Sequence, residues 1–148
     1  MAEVMAVVAE EGSIGTEPPV DVEELGRRFR HTLESAGNSA MWVLEESGRV
    51  LGHAGARESG AAGVLDVGMM ILPEGRGRGG GRALLDEVLE HARSCGAHKV
   101  ELEVWPDNAR AVALYVRAGF EVEGYRREHY RRRDGSRRSA LLMARLVD

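Results

Sequence analysis

The stretch from Leu65 to Leu85 combines residues that can bind a phosphate with the elements needed to position them. An apolar strand ends before Pro73, a loop of glycines and arginines follows, and an amphipathic helix begins at about Gly81. Glycines allow backbone conformations that are closed to residues with a Cβ atom. The first N–H groups of the helix lack partners within the helix and lie at the positive end of its dipole. The pattern therefore predicts an anion site, which a pyrophosphate fits best.

A second segment, residues 108–120, predicts a short helix that carries a phenol. Asp107 or Asn108 can cap this helix by accepting from its free N–H groups. Gly119 ends it at a position where a left-handed backbone conformation favours glycine. Tyr115 lies within the helix, and a phenol with a pKa of ~10 stays protonated at neutral pH and can donate its proton.

Together the two segments resemble the two signatures of the GNAT N-acetyltransferase superfamily. The loop matches Arg-x-x-Gly-x-Gly over residues 76–81, and the helix matches Asn-x-x-Ala-x-x-Leu-Tyr-x-x-x-Gly-Phe over residues 108–120. The loop lacks the Gly-Lys-Ser/Thr ending of a nucleotide P-loop, which argues against ATP or GTP hydrolysis. It also lacks the full dinucleotide fingerprint with its ribose-binding acid. The resemblance covers roughly residues 64–148 and implies acetyl transfer from acetyl-coenzyme A (acetyl-CoA) to an amine.

The resemblance also implies which residues contact the coenzyme. The backbone N–H groups of residues 78–82 are expected to bind the pyrophosphate, helped by three arginines. Strand residues 69–71 are expected to pair with the amides of the pantetheine arm, as a peptide pairs with an open sheet edge. The Ile71 N–H is expected to hold the thioester oxygen as charge develops on it. The expected coenzyme-binding residues are Met69, Met70, Ile71, Arg76, Gly77, Arg78, Gly79, Gly80, Gly81, Arg82, Asn108, Ala111 and Tyr115.

Catalysis by direct attack of the amine in a ternary complex needs an acid and a base. Tyr115 aligns with the general acid of the superfamily, which protonates the departing thiolate. An amine acceptor is mostly ammonium at pH 7 and must lose a proton before it attacks. Glu103 resembles the base proposed for ribosomal-protein alanine acetyltransferases, Asp66 on the preceding strand is its rival, and a chain of water molecules is a third candidate.

The acceptor is expected to be a primary amine of a small molecule, such as an amino acid or a related amine. In the superfamily, the early loop and the late hairpin shape the acceptor pocket, and here these are residues 12–20 and 128–139. Glu17 and Tyr130 are the residues of these segments expected to contact the acceptor. A protein N-terminus of the ribosomal-protein type is the main competing acceptor, with an antibiotic or a polyamine as further alternatives.

Two other classes of function stay open at this point. The chain could bind an acyl-CoA as a sensor without transferring the acyl group. It could also bind nucleic acid through a dense arginine run, since residues 76–148 carry 15 basic and 11 acidic side chains while residues 1–75 carry 5 and 13. That run turns at Asp134-Gly135 and has few aromatic neighbours, so a solvated hairpin is the favoured interpretation.

Composition sets the outer limits of the fold. A chain of 148 residues, 43% of them hydrophobic, is long enough for one core and predicts a single domain over residues 1–148. No uninterrupted apolar stretch approaches membrane-spanning length, and residues 1–11 lack the features of a secretory signal. The single cysteine, Cys95, is typical of a protein of the reducing cytoplasm. No His, Cys and carboxylate cluster has metal-ligand spacing, so we expect no metal.

The order of the predicted elements gives an α/β fold of GNAT type, with a mixed, mostly antiparallel central sheet flanked by helices. Apolar spacing and turn residues predict helices over 1–11, 81–94 and 108–118, a further helix that begins at Asp21, and strands over 40–46, 49–56, 64–72, 99–105, 120–126 and 139–146. In the second helix, Val22, Leu25, Phe29 and Leu33 lie on one face. The superfamily begins with a strand before its first helix, and this strand is expected to be missing or truncated. An exposed sheet edge would result, which favours a homodimer.

Overall fold

A six-stranded sheet organises the computed structural model, which describes residues 1–34 and 37–147. The helices are α1 (Ala2–Glu10), α2 (Val22–Glu34), α3 (Gly80–Ser94) and α4 (Ala109–Arg117), with a short 3-10 turn at Pro73–Gly75. The strands are β1 (Ala40–Glu46), β2 (Arg49–Glu58), β3 (Val64–Ile71), β4 (Lys99–Val104), β5 (Glu121–Arg131) and β6 (Arg137–Leu146). Within the described ranges no strand precedes α1, and β1 lies at one edge of the sheet.

The strands follow the order β1-β2-β3-β4-β6-β5 across the sheet. Neighbours are antiparallel except for β3 and β4, which run parallel and are connected through α3. A parallel pair needs such a crossover because its strands cannot be joined by a tight hairpin. The predicted fold class, a mixed and mostly antiparallel sheet flanked by helices, is confirmed.

The parallel pair β3 and β4 separates halfway along its length. Pairing covers Val64 with Lys99, Leu65 with Val100 and Asp66 with Glu101, and it ends there. Both strands continue, β3 to Ile71 and β4 to Val104. The second half of each strand therefore borders a wedge-shaped opening in the middle of the sheet.

One face of the sheet is covered by the amphipathic helix α3. Leu84, Leu85, Val88, Leu89 and Ala92 are all buried in the main core. A smaller cluster lies on the opposite face, where α1 contributes Val4 and Val8 against Leu51 and Leu72. Each face of the sheet thus has its own apolar cluster, and the two clusters hold β2 and β3 between them.

The segment with the second predicted apolar face forms helix α2, as expected. That face does not enter the core. None of the α2 residues is buried, and Val22 and Leu33 are 36% and 46% exposed. Phe29 contacts the sheet, with its ring edge-on and 5.6 Å from the imidazole of His53. Apolar spacing reports that a helix is amphipathic, but it does not report how much of the apolar face another element covers.

The β5–β6 hairpin is longer than the sequence indicated. It turns at Asp134-Gly135 as predicted, yet β5 extends to Arg131 and β6 begins at Arg137. The register shifts between Arg126 and Tyr130, where Glu128 has a positive φ of 47° and donates its N–H to Ser139 Oγ. A bulge of this kind interrupts the two-residue alternation on which a strand prediction depends.

Two negative findings concern the described ranges 1–34 and 37–147. No helix there combines the length and the apolar character needed to span a membrane. No group of three or more His, Cys, Asp or Glu side chains in that part of the chain could hold a metal ion.

His53 gives the fold a predictable response to acid. Its side chain is 2% exposed, and burial lowers the pKa of its imidazole to about 4 from 6.5. Between these two values the unfolded chain binds the proton and the folded protein does not, so stability falls as the pH drops from 6.5 towards 4. From pH 7 to pH 5, His53 should remove roughly 2 kcal/mol from the free energy of unfolding.

Urea unfolding of the wild type and of His53→Met at both pH values measures this effect. We expect the difference between pH 7 and pH 5 to shrink by about 2 kcal/mol in the variant, which cannot take up the proton. An equal pH dependence in the two proteins would mean that folding does not perturb His53.

Candidate active site

The wedge between β3 and β4 opens into a cleft of about 1050 Å³. Three of its walls correspond to the segments singled out in the sequence: β3, the glycine loop with the start of α3, and α4. The fourth wall comes from α1 and the loop that follows it. The lining residues are Met5, Val8, Glu11, Ser13, Ile14, Gly15, Thr16, Arg57, Val67, Gly68, Met69, Met70, Ile71, Arg76, Gly77, Gly79, Gly81, Arg82, Glu103, Val104, Trp105, Asn108, Arg110, Ala111, Leu114, Tyr115, Arg117 and Tyr130.

The free edge of β3 directs backbone donors into this cleft. Leu72 donates its N–H to the Leu51 carbonyl on the β2 side at 2.8 Å. Backbone polar groups alternate between the two edges of a strand, so the N–H groups of Ile71 and Met69 point to the other side, where β4 has diverged. An extended ligand that contains amides can therefore pair with β3 in place of the missing strand neighbour.

The glycine loop presents unsatisfied N–H groups at the start of α3. Gly79, the N-cap residue, has a φ of +86° and supplies no side chain to cap the helix. Gly77 also has a positive φ, and a Cβ added to either glycine would meet no atom within 4 Å. The loop backbone thus borders open space at the positive end of the helix dipole, as an anion site requires.

The other two glycines of the loop serve packing. A Cβ on Gly80 would lie 2.4 Å from Leu44 Cδ2, so this residue faces β1 and does not line the cleft. A Cβ on Gly81 would lie 3.0 Å from Leu114 Cδ2. Gly81 therefore lets the start of α3 approach α4 closely, which sets the width of the cleft.

The loop arginines are already bound to protein groups. Arg76 donates to the Ile71 carbonyl and to Glu11, whereas Arg78 donates to Glu46 and does not line the cleft. Arg82 lines the cleft and pairs with Asp86 at 2.9 Å. Both partners of that pair are about half exposed, so it is weak and can be exchanged for a phosphate.

The second signature places Asn108, Ala111 and Tyr115 on the cleft side of α4. Asn108 caps this helix, since its Oδ1 accepts from the Ala111 N–H at 3.2 Å. Tyr115 is only 7% exposed, and burial raises the pKa of its phenol to about 12. Its ring packs 5.8 Å from that of Phe120, the last residue of the signature. The side chain is thus held in place and protonated at every physiological pH.

Of the two predicted base candidates, the structure brings one to the cleft. Glu103 lines it, pairs with Arg126 at 2.9 Å and accepts a hydrogen bond from the Tyr130 hydroxyl. Burial, followed by the bond to Glu103, raises the pKa of Tyr130 above its ordinary value. Asp66 does not line the cleft, and its Oδ2 accepts from Arg57 Nε at 2.9 Å.

The loop after α1 lines the cleft, and the β5–β6 hairpin holds this loop in place. Arg132 donates to the Gly15 carbonyl at 2.8 Å, and Arg138 donates to the Gly12 carbonyl at 2.9 Å. Glu17 does not line the cleft, because its carboxylate accepts from the backbone N–H of Arg133 at 3.0 Å. We call this set of contacts between residues 12–18 and 132–138 the loop–hairpin clamp.

Trp105 is a lining residue that sequence reasoning did not select. It is 5% exposed, contacts the Tyr130 ring edge-on at 5.2 Å, and has the guanidinium groups of Arg132 and Arg138 at 5.9 and 5.0 Å from its ring centre. Its buried indole N–H has no hydrogen-bond partner among the described residues. The signal that could have identified Trp105 as a lining residue was its position at the end of β4, next to the second signature.

Comparison with known proteins agrees with this geometry. The family model described as "Acetyltransferase (GNAT) family" matches residues 8–120, which is about three quarters of the chain and includes both signatures. The chain belongs to the acetyltransferase (GNAT) family. The predicted resemblance is therefore confirmed, and the protein is an N-acetyltransferase that uses acetyl-CoA.

Two curated relatives and one solved structure are similar to this acetyltransferase. The L-methionine sulfoximine/L-methionine sulfone acetyltransferase of Pseudomonas aeruginosa is 29% identical over 116 residues, 76% of this chain and 67% of the relative. The N-alpha-acetyltransferase RimI of Mycobacterium tuberculosis is 39% identical over 106 residues, 70% of this chain and 65% of the relative. The chain therefore spans about two thirds of each relative. The ribosomal-protein-alanine N-acetyltransferase of Brucella melitensis shares the fold, with a TM-score of 0.84, 24% identity and coverage of 97% and 92%.

The cleft of the acetyltransferase has the features that acetyl-CoA needs. A Cβ on Gly77 or Gly79 would project into open space beside the start of α3, which leaves room for a pyrophosphate against the backbone. The free edge of β3 can pair with the amides of the pantetheine arm. Tyr115 and Glu103 line the same cleft from α4 and β4.

Tyr115→Phe tests whether the phenol acts as an acid. Loss of the proton donor should lower kcat about a hundredfold or more, while the affinity for coenzyme A stays close to that of the wild type. Because the pKa is about 12, wild-type activity should show no decline from Tyr115 ionisation as the pH rises to 10. Steady-state kinetics from pH 6 to pH 10 give kcat, and calorimetric titration gives the Kd for coenzyme A. A kcat within twofold of the wild type would leave Tyr115 with a packing role only.

Proposed function

We propose that this acetyltransferase transfers the acetyl group of acetyl-CoA to the primary amine of a small molecule, an amino acid or a related amine. The transfer takes place by direct attack in a ternary complex. The observation that supports a small acceptor is the loop–hairpin clamp. It fixes residues 13–16 as one wall of the cleft that Glu103 and Tyr130 also line, and a cleft with a fixed wall suits a small amine better than a long peptide.

Each part of the proposed reaction has a group of this chain to perform it. Acetyl-CoA supplies an acetyl thioester, a reactive acyl donor with a thiolate leaving group. The backbone of residues 77–82 holds the phosphates, and the free edge of β3 aligns the arm. The Ile71 N–H stabilises negative charge on the thioester oxygen during attack. Tyr115 then donates its proton to the sulfur.

Glu103 is the stronger candidate for the base that receives the amine proton. Its carboxylate lines the cleft, whereas Asp66 lies outside the lining. Arg126 and Tyr130 each engage one oxygen of Glu103, which fixes its orientation towards the acceptor end. The proton passes to Glu103 directly or through a water molecule held between the carboxylate and the amine.

The positive charge of Arg57 in the cleft favours an acceptor that carries its own carboxylate. Arg57 lines the cleft, and its side chain is 70% exposed although it pairs with Asp66. A pair that is so exposed contributes little, so Arg57 can turn to a substrate carboxylate. An amino acid carries a carboxylate that Arg57 can bind and an amine whose proton Glu103 can receive.

A protein N-terminus is the second candidate acceptor, and a specific comparison favours it. The relative with the higher sequence identity, at 39%, is the N-alpha-acetyltransferase RimI of Mycobacterium tuberculosis. The methionine sulfoximine/methionine sulfone enzyme is 29% identical but covers more of this chain. The two relatives point to different acceptors, so an acceptor comparison is the deciding test.

Glu103→Gln tests the assignment of the base. The amide cannot accept a proton, so kcat/KM for the amine should fall about a hundredfold at pH 7. The loss should shrink as the pH rises and more of the amine becomes unprotonated. Glu101→Gln is the matched control, since Glu101 lies two residues earlier on the same face of β4 and does not line the cleft. A normal rate for Glu103→Gln together with a slow Asp66→Asn would transfer the role to Asp66.

A thiol-release assay with matched acceptors tests the substrate class. We compare free amino acids, their amides, tripeptides and polyamines at equal concentration. Free amino acids should give kcat/KM values at least about tenfold above their amides, because an amide lacks the charge that Arg57 attracts. Higher values for peptides than for free amino acids would favour a protein N-terminus. Absence of turnover with every amine, despite coenzyme binding, would contradict the proposed acetyl transfer.

A further inference from the structure

Arg76 connects three parts of the molecule that serve different steps of the reaction. It belongs to the coenzyme loop, and its Nε donates to the Ile71 carbonyl at the end of β3, at 2.8 Å. Its two terminal nitrogens donate to the two carboxylate oxygens of Glu11, one of them at 3.1 Å. Glu11 directly follows α1 and precedes the cleft-lining residues 13–16.

These contacts hold a single peptide unit from both sides. The carbonyl of the Ile71–Leu72 peptide accepts from Arg76, and the N–H of the same peptide donates to Leu51 at 2.8 Å. The peptide plane is therefore fixed at both ends. The Ile71 N–H belongs to the preceding Met70–Ile71 peptide. In a strand it points to the same edge as the Ile71 carbonyl, so the bond that holds this carbonyl also helps to direct the N–H into the cleft.

We infer that Glu11 and Arg76 are positioning residues that fix the Ile71 N–H for the acetyl oxygen, and that Arg76 is not a pyrophosphate ligand. This inference rests on the proposed acetyl transfer, in which the Ile71 N–H stabilises developing negative charge. Such stabilisation requires a donor that is already oriented before the charge appears. The Glu11–Arg76 pair supplies that orientation from outside the strand.

The pair has the geometry needed to act as a fixed support. The carboxylate and the guanidinium meet through two parallel hydrogen bonds, which define direction as well as distance. Their side chains are 31% and 23% exposed, so water screens the pair less than it screens the other loop pair, Arg78–Glu46, at 50% and 55%. The hydrogen bond from Arg76 lowers the pKa of Glu11, so the carboxylate stays charged at neutral pH.

The same contacts argue against Arg76 as a ligand for the pyrophosphate. Three of its five N–H directions are occupied by Ile71 and Glu11. To bind a phosphate with the same fork, Arg76 would have to leave both groups and release the end of β3. The backbone donors at the start of α3 and the exposed Arg82 remain for the phosphates.

The two roles predict opposite results for Glu11→Gln, which keeps the shape of the side chain and removes its charge. If Arg76 positions Ile71, kcat should fall about tenfold to a hundredfold, because a small displacement of a reacting group has that cost. The Kd for coenzyme A should remain within about twofold. If Arg76 instead binds phosphate, its release from Glu11 should leave kcat unchanged and keep or tighten coenzyme binding.

Glu46→Gln is the matched control. It breaks the Arg78–Glu46 pair of the same loop, with the same change of charge, but neither partner lines the cleft or contacts Ile71. Its kcat and Kd should match those of the wild type. Arg76→Gln and the double variant Glu11→Gln/Arg76→Gln complete a cycle, and the double variant should be no slower than Arg76→Gln alone because the pair acts as a unit.

Hydrogen exchange in the free protein gives a measurement that does not depend on turnover. In Glu11→Gln the Leu72 amide, which donates to Leu51, should exchange about tenfold faster, whereas in Glu46→Gln it should not change. Unchanged exchange together with an unchanged kcat, or a Kd raised more than tenfold by Glu11→Gln, would overturn the inference. If the wild type acetylates no amine, the proposed function fails, and the exchange rate still decides whether the pair holds the peptide.

Discussion

The separation of β3 from β4 is the constraint on which the rest of the site depends. The two strands pair over only three residues and then diverge, which leaves the edge of β3 that faces β4 without a strand neighbour along residues 67–71. Unpaired polar groups inside a protein are costly unless a partner takes them up. In this acetyltransferase the gap is the place where a ligand with peptide-like amides completes the sheet. Because Gly81 has no side chain, α3 packs closely against Leu114 of α4, and both helices border the gap between β3 and β4.

Local signals in the sequence were sufficient for the coenzyme side of the site. Gly77, Gly79 and the start of α3 could be identified because a phosphate loop depends on backbone conformation, and glycine reports that conformation directly. The Asn108 cap and Tyr115 were accessible for the same reason, since they belong to one short helix with fixed spacing. The strands and helices were predicted nearly to their observed ends, except where the Glu128 bulge conceals the length of the hairpin.

Long-range contacts were beyond the reach of the same reasoning. Arg76 and Arg78 look equivalent in the sequence, yet one reaches Glu11 across 65 positions of the chain and the other reaches Glu46. No local pattern distinguishes them, because the choice depends on which carboxylate the folded chain brings near. Glu17 was likewise predicted to face the acceptor, although it turns to the backbone of Arg133. The stripe of α2 indicated a helix, but its exposure is decided by how α1 and the sheet leave it uncovered.

The loop–hairpin clamp has a consequence for how acceptor preference can change during evolution. Arg132 binds the main-chain oxygen of Gly15 and Arg138 that of Gly12, and every amino acid carries such an oxygen. The neighbouring side chains Ser13, Ile14 and Thr16, which line the cleft, can therefore be exchanged without loss of an anchoring bond. Affinity for new amines can arise in this loop while the coenzyme site is inherited unchanged.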